Sequence, residues 1–314
     1  MIVPPVPGPL VLCIGEPLVV LSPDAGERLD AAESVRLSVG GAEANVAVHL
    51  ARLGVPSRFA SAVGNDPFGW RVRATLAREG VDVSTLQYDD TRPTGLYAKD
   101  PEPGGTVSYY YRRGSAASAL DRLPSGTLDG VTLVHMSGIL ASLGPGCRAL
   151  VESLLDGPVP VSFDVNHRPA LWPHGEAAPV LRDQAARAGT VFVGLDEATG
   201  LWGCSDADDV RGLFPASELV VKDAGRTATA FHPAGRADVS ALDVVVVEPV
   251  GAGDAFAAGY LSVRVAGGDI VTALRTGHAV ASTALVASDD HGEPADPALL
   301  RAATTGQGWP GGSR

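Results

Sequence analysis

The chain has 314 residues, 45% of them apolar and only 5% aromatic, with a formal net charge of -12. That length suits one large α/β domain or two ordinary ones, with a core built mainly from Ala, Val and Leu. The acidic balance excludes a general nucleic-acid or anionic-membrane binder, whose contact surface would be basic, but leaves room for an anionic small substrate held by a local field. Of the 24 basic residues only two, Lys99 and Lys222, are lysines. So general a preference for arginine reads as genomic base composition, and no Arg stands out by type alone. Cys13, Cys147 and Cys204 lie far apart with no C-x-x-C pair, as expected of buried, reduced thiols in a cytoplasmic protein. No apolar run reaches the roughly 18–20 residues of a membrane span.

In chain order, Met1 to Leu10 is proline-rich and reads as a loose tail rather than a leader. Val11 to Gly15 is a first strand. Pro17 to Val39 is rich in Val and Leu with turn residues and no helical period, which suggests strands of a small accessory sheet. Val46, Leu50 and Leu53 then recur at i, i+4, i+7 and predict a helix. Arg92 to Arg113, rich in Tyr, reads as more of the accessory sheet. Val131 to Met136, Val159 to Val165, Thr190 to Val193, Leu219 to Lys222 and Val244 to Glu248 read as strands, several of them apolar on both faces as in a helix-covered parallel sheet. Phe256, Tyr260 and Val263 mark a further helix, and Thr304 to Arg314, with Gly-Gln-Gly and Pro-Gly-Gly, is expected to be disordered.

This alternation predicts an α/β fold, a three-layer, doubly wound, mostly parallel sheet whose ligands sit beyond the carboxyl ends of its strands. One domain, residues 11–302, is expected, with segments 17–39 and 92–113 as a lid and residues 1–10 and 303–314 as flexible tails. There is neither an internal repeat nor an interdomain linker.

The strand read at Val244–Glu248 leads into Gly251-Ala252-Gly253-Asp254 and an apolar helix. Small residues at a helix start let a phosphate approach the backbone N–H groups, where the helix dipole favours negative charge. Asp254 suits an ordinary capping carboxylate. It equally suits a base that takes a proton from a hydroxyl attacking a γ-phosphate. The glycine spacing is neither a P-loop nor a dinucleotide fingerprint. Far upstream, Gly40-Gly41-Ala42-Glu43-Ala44-Asn45 opens a small-residue helix that runs to Arg52-Leu53-Gly54.

With both motifs present in this order, the chain resembles the ribokinase-like carbohydrate kinases, the PfkB family, over roughly Val11 to Ala302. The resemblance implies that Asp254 is the catalytic base, that the Gly251, Ala252 and Gly253 amides form an anion hole, and that Gly40, Gly41 and Asn45 contact the sugar. It also implies ATP and Mg²⁺ as cofactors. Within the family, four segments are most similar to kinases of 2-keto-3-deoxygluconate: Gly15-Glu16-Pro17-Leu18-Val19, Thr94-Gly95-Leu96-Tyr97, Tyr110 through Ala116, and Asp164-Val165-Asn166-His167-Arg168 running on to Trp172. That likeness gives Tyr97, Tyr110 and Arg112 to the carboxylate and keto end of the acceptor and sets Arg168 between sugar and phosphates. Arg matches a carboxylate because its planar fork pairs with both oxygens. On local pattern alone, the same Tyr and Arg residues suit a solvated or subunit-contact face.

On the nucleotide side the resemblance assigns Glu197, Lys222, Gly225 and His278, with no direct metal ligand and Mg²⁺ held through water near Glu197. Each has a plain alternative: a first-turn helix carboxylate, a solvated strand-end lysine, a buried helix histidine. Three departures stand out: Gly194 replaces the Asn of the family's N-x-x-E, Ala224-Gly225-Arg226-Thr227 replaces G-x-x-G, and Glu248-Pro249-Val250 replaces Asp-Thr-Thr. The last argues against strong potassium dependence. The expected activity is transfer of the ATP γ-phosphoryl group to the terminal hydroxyl of 2-keto-3-deoxygluconate. The rivals are a kinase of fructose, ribose or a nucleoside, and a non-catalytic sugar-binding protein. Pairing of lids suggests a homo-oligomer.

Overall fold

The computed structural model describes residues 8–24, 27–102, 105–215, 217–233, 235–287 and 290–310. The first half runs β1 (Leu10–Ile14), β2 (Leu18–Pro23), β3 (Val35–Gly40), α1 (Ala42–Arg52), β4 (Ser57–Gly64), α2 (Pro67–Arg78), β5 (Leu86–Asp89), β6 (Leu96–Glu102) and β7 (Gly105–Tyr111). It continues with β8 (Val131–Ser137), α3 (Gly138–Ser142), α4 (Pro145–Leu155), β9 (Val161–Asp164), α5 (Ala177–Arg187), β10 (Thr190–Gly194), α6 (Leu195–Trp202) and α7 (Ala207–Leu213). The remainder is β11 (Glu218–Asp223), β12 (Thr227–His232), β13 (Gly235–Ser240), α8 (Ala252–Val265), α9 (Ile270–Leu285) and α10 (Pro297–Thr305).

Nine strands form one sheet in the order β13-β12-β11-β10-β9-β8-β1-β4-β5. The strands from β11 across to β5 pair in parallel, while β11, β12 and β13 pair antiparallel. Side chains alternate between its two faces, as period two requires. Val11 and Cys13 join a core with α1, α2, α8 and α9, whereas Leu12 and Ile14 join a second core with α3 to α7. The expected doubly wound α/β sheet is therefore present. The chain winds outward from β1 in one direction and returns at β8 to wind in the other, so the carboxyl ends of β1 and β8 flank the crevice where such folds bind ligands.

The two aperiodic stretches supply a smaller sheet, β3-β2-β6-β7. Leu18, Val20 and Tyr97 form its own buried cluster. All three cysteines are free and buried. Among the described residues no helix is long and apolar enough to cross a membrane.

Two expectations are corrected. Val244 to Glu248 is not a strand: the run has no ladder partner, and the N–H groups of Val247 and Glu248 both donate to the Leu285 carbonyl at the end of α9. Val244 and Val246 instead line a cavity, and Val245, Val246 and Val247 are largely exposed. At the chain end, Thr304 and Thr305 belong to α10 and Trp309 packs against the first core, because an indole carries enough apolar surface to fix a short segment. Residues 1–7 and 311–314 of the expected tails lie outside the described residues.

Candidate active site

Two cavities meet at the start of α8. The first, of about 410 Å³, lies beyond the carboxyl ends of β1, β8, β9, β10 and β11 and under the small sheet. The second, of about 630 Å³, is bounded by the β11–β12 turn, the Val244–Val246 segment and α9. Lys222, Ala224, Pro249 and Gly253 line both, so the glycine turn is the wall across which a group would pass from one ligand to the other.

Gly251 precedes the first residue of α8 with φ 84°, and no side chain caps this helix end. A Cβ at Gly251 would strike the Asp290 carbonyl, and at that φ any L side chain is strained as well. The Ala252 N–H makes a long, 3.3 Å bond to the Pro249 carbonyl, and the other first-turn N–H groups are left to a ligand, with the positive end of the helix dipole behind them. Asp254 lines the first cavity. Asn45 in α1 donates its side-chain N–H to Asp254 Oδ2 at 2.8 Å and so joins the two motifs. Burial pushes the Asp254 carboxyl up to about 7; the Asn45 hydrogen bond works against this, and the Asp164 charge adds to it. A carboxylate with that affinity for protons, held by one oxygen and open at the other, is suited to general-base work near neutral pH.

Lys222, next to last in β11, donates to Asp164 Oδ2 at 2.8 Å. Burial opposes its charge, but Asp164, Glu197 and Asp254 outweigh this and raise its pKa. A Cβ on Gly253 would lie 3.4 Å from the Lys222 ammonium, which sets that charge directly against the turn. Glu197 spends its oxygens on backbone: Oε1 accepts the His167 N–H and Oε2 the Gly194 N–H, each at 2.9 Å. It therefore shapes the loop after β9. Arg168, half exposed, stands 3.9 Å from Glu197 at the cavity rim. Asp164 Oδ1 and Asn166 Oδ1 are buried without a protein partner, and Asn166 adopts the left-handed conformation at φ 38°. No role for either follows from the sequence pattern; Asp164 as the last residue of β9 and Asn166 two positions on are the signal that marks them.

At the other end, Arg112 lies one residue past β7 and, with Tyr110, lines the first cavity as the period-two spacing anticipated. Its guanidinium is paired with buried Glu16, which also accepts the Ser115 hydroxyl, and its Nε–H has no protein acceptor. Tyr97 departs from its expected role: it lines the cavity, but its hydroxyl donates to Asp290, at 2.7 Å to Oδ2, rather than waiting for a substrate. Its ring stacks on Tyr110 at 5.2 Å.

The upstream glycines are also explained by protein neighbours. A Cβ at Gly40 would strike the Asp290 carboxylate, and one at Gly41, where φ is 124°, would strike the Glu16 carbonyl. Gly41 lines the first cavity, whereas Gly40 lines neither. Glu43, unremarked in the sequence, is buried beneath them; it accepts the Ser137 hydroxyl and N–H, and burial pushes its carboxyl up to about 7.

Gly225, Ala252 and His278 line the second cavity. His278 meets Phe256 edge-on at 5.1 Å, and its Nε2 lies 3.0 Å from the Val239 carbonyl. Burial lowers its pKa to about 4, so it is neutral at physiological pH. Ala224, where the family has glycine, takes φ 45° and holds the turn in the left-handed conformation.

A doubly wound sheet with an uncapped glycine turn between two cavities, and a high-pKa carboxylate facing one of them, is the arrangement of a phosphoryl-transfer enzyme. The pfkB family carbohydrate kinase model matches residues 9–291, and the chain belongs to that family: it is a carbohydrate kinase. It is 31% identical over 286 residues to a 2-dehydro-3-deoxygluconokinase of Thermoproteus tenax, covering 88% of this chain and 87% of that one. A fructokinase of Salmonella typhimurium is 33% identical over 269 residues, covering 82% and 85%. The fructokinase of Vibrio cholerae O395, solved with fructose, ADP and calcium, superposes with a TM-score of 0.80 at 25% identity, covering 94% and 99%.

Proposed function

We propose that this kinase transfers the γ-phosphoryl group of ATP to the terminal hydroxyl of 2-keto-3-deoxygluconate. The observation that carries the reading is the pairing within one cavity of the Asp254 carboxylate and the Arg112 guanidinium, whose Nε–H lacks an acceptor. A sugar acid spans such a site with its carboxylate or keto oxygen toward Arg112 and Tyr110 and its terminal hydroxyl toward Asp254. Asn45 fixes the carboxylate of Asp254, which accepts the hydroxyl proton as that oxygen bonds to the γ-phosphorus; the bond to the bridging oxygen breaks and ADP leaves with its electrons. The Gly251, Ala252 and Gly253 amides and the Lys222 ammonium offset charge on the transferring group.

The more apolar second cavity suits adenine, between the Val244–Val246 wall and His278, with Gly225 in the turn beyond. Mg²⁺ fits the partnerless Asp164 and Asn166 oxygens: a hard, strongly hydrated ion takes oxygen donors through its water shell, and Glu197 holds their loop. When bound, it would neutralise phosphate charge. The small sheet acts as a lid on a single catalytic domain, and the free cysteines agree with a cytoplasmic setting.

Fructose is a second reading, favoured by the fructokinase relative and by the existing Arg112–Glu16 pair. The test is kcat/KM for the keto-deoxy acid and for fructose in wild type, Arg112→Ala and Arg112→Lys. Loss of a buried, charge-assisted contact should cost about 2–4 kcal/mol on the acid, only partly restored by Lys, with little change on fructose. Equal losses on both substrates would reduce Arg112 to a support for Glu16 and remove the acid-sugar assignment.

A further inference from the structure

Lys99 lies on β6 of the small sheet, only 3% exposed. Its ammonium is 3.0 Å from Asp290 Oδ1 and 3.7 Å from Glu248 Oε2, and those residues are 2% and 5% exposed. Tyr97, two positions earlier and so on the same strand face, donates its hydroxyl to the same Asp290 carboxylate.

This cluster holds both glycine motifs. The Asp290 carbonyl fills the space where Gly251 would carry a Cβ, and the Asp290 carboxylate does the same at Gly40. Glu248 Oε1 accepts the Val250 N–H at 3.3 Å, just ahead of the turn. Two carboxylates this deep, with no cation between them, would repel and pull the segments that carry them apart.

We propose that Lys99 is a built-in counter-cation that fixes the Gly251–Asp254 turn from the small sheet, a positioning residue for phosphoryl transfer. Lysine usage in the chain supports this. Arginine supplies all but two of the basic residues, yet the two lysines stand at buried carboxylates on either side of this turn: Lys222 with Asp164, Lys99 with Asp290 and Glu248.

The proposal rests on the reading of the turn as the phosphate-holding element, so Asp254→Asn belongs in the same assay. Turnover at saturating substrates is measured in choline, potassium, ammonium and methylammonium chloride at equal ionic strength. Wild type should be indifferent to the cation. Lys99→Ala should lose about tenfold or more in choline, a positional loss smaller than removing a direct donor, and should recover saturably with ammonium. Lys99→Met/Glu248→Gln, which removes one charge of each sign, should exceed Lys99→Met. Wild-type turnover in Lys99→Met, or a loss that neither ammonium nor the paired substitution relieves, overturns the proposal. If Asp254→Asn itself keeps full turnover, it is the reading of the turn that fails, whatever the Lys99 variants do.

Discussion

At the residue scale the site turns on Asp254. Burial outweighs the hydrogen bond from Asn45 and leaves the carboxyl with a pKa of about 7. Because the base acts deprotonated, kcat/KM should rise with pH through an apparent pKa near 7, and Asp254→Asn should abolish that limb while cutting turnover by about 10²–10⁴-fold. Stability carries the opposite sign. The folded-state pKa lies above the unfolded value of about 3.9, so the folded state binds the proton more tightly. Stability from this group is fully present below pH 4 and is lost as pH rises through 7. Asp254→Asn, which never ionises, should therefore gain melting temperature relative to wild type at pH 8 and show little gain at pH 4. A variant that loses turnover but shows no such pH-dependent gain would place the carboxylate in a more polar setting than the structure gives it.

At the element scale, the β11–β12 turn carries a residue at odds with its backbone. Ala224 holds φ 45°, a conformation that costs a residue with a Cβ about 1–2 kcal/mol. Glycine avoids that cost but gives back about 0.5–1 kcal/mol in unfolded-chain entropy. Ala224→Gly should therefore stabilise by about 0.5 kcal/mol, read as a higher urea midpoint at unchanged slope. A lower midpoint would mean the turn is less strained than its φ implies. The same turn lines the second cavity. The neighbouring Val244–Glu248 run makes the complementary point. β-Branched residues favour a strand, but no edge is offered, and the segment becomes a cavity wall.

At the scale of the whole molecule, β7 is one of the two edges of the small sheet, β3 being the other. Tyr110 faces the first cavity, while Val107, Tyr109 and Tyr111 alternate to the other face and stand 38%, 45% and 64% exposed. An edge strand bearing large apolar side chains is ordinarily covered, and we propose a second copy of this chain as the cover. Sedimentation should give a dimer at micromolar concentration, and Tyr109→Lys with Tyr111→Lys should give a monomer. A monomeric wild type would end that reading.

Much of this was legible in one dimension. Apolar runs with both faces buried specify central strands, and small residues around Gly41 and Gly251 specify close backbone approach, because each depends on local spacing and side-chain volume. The two glycine motifs with Asn45 and Asp254 could be singled out for the same reason. Only the tertiary structure decided what each glycine faces, since Asp290 reaches Gly40 and Gly251 from a distant segment. It alone decided that Tyr97 is spent on Asp290 and Arg112 paired with Glu16, and that Lys99 is an internal ion rather than a solvated side chain. Partnership and burial set the charge and the task of such groups, and both are properties of chain segments brought together, which no local pattern encodes.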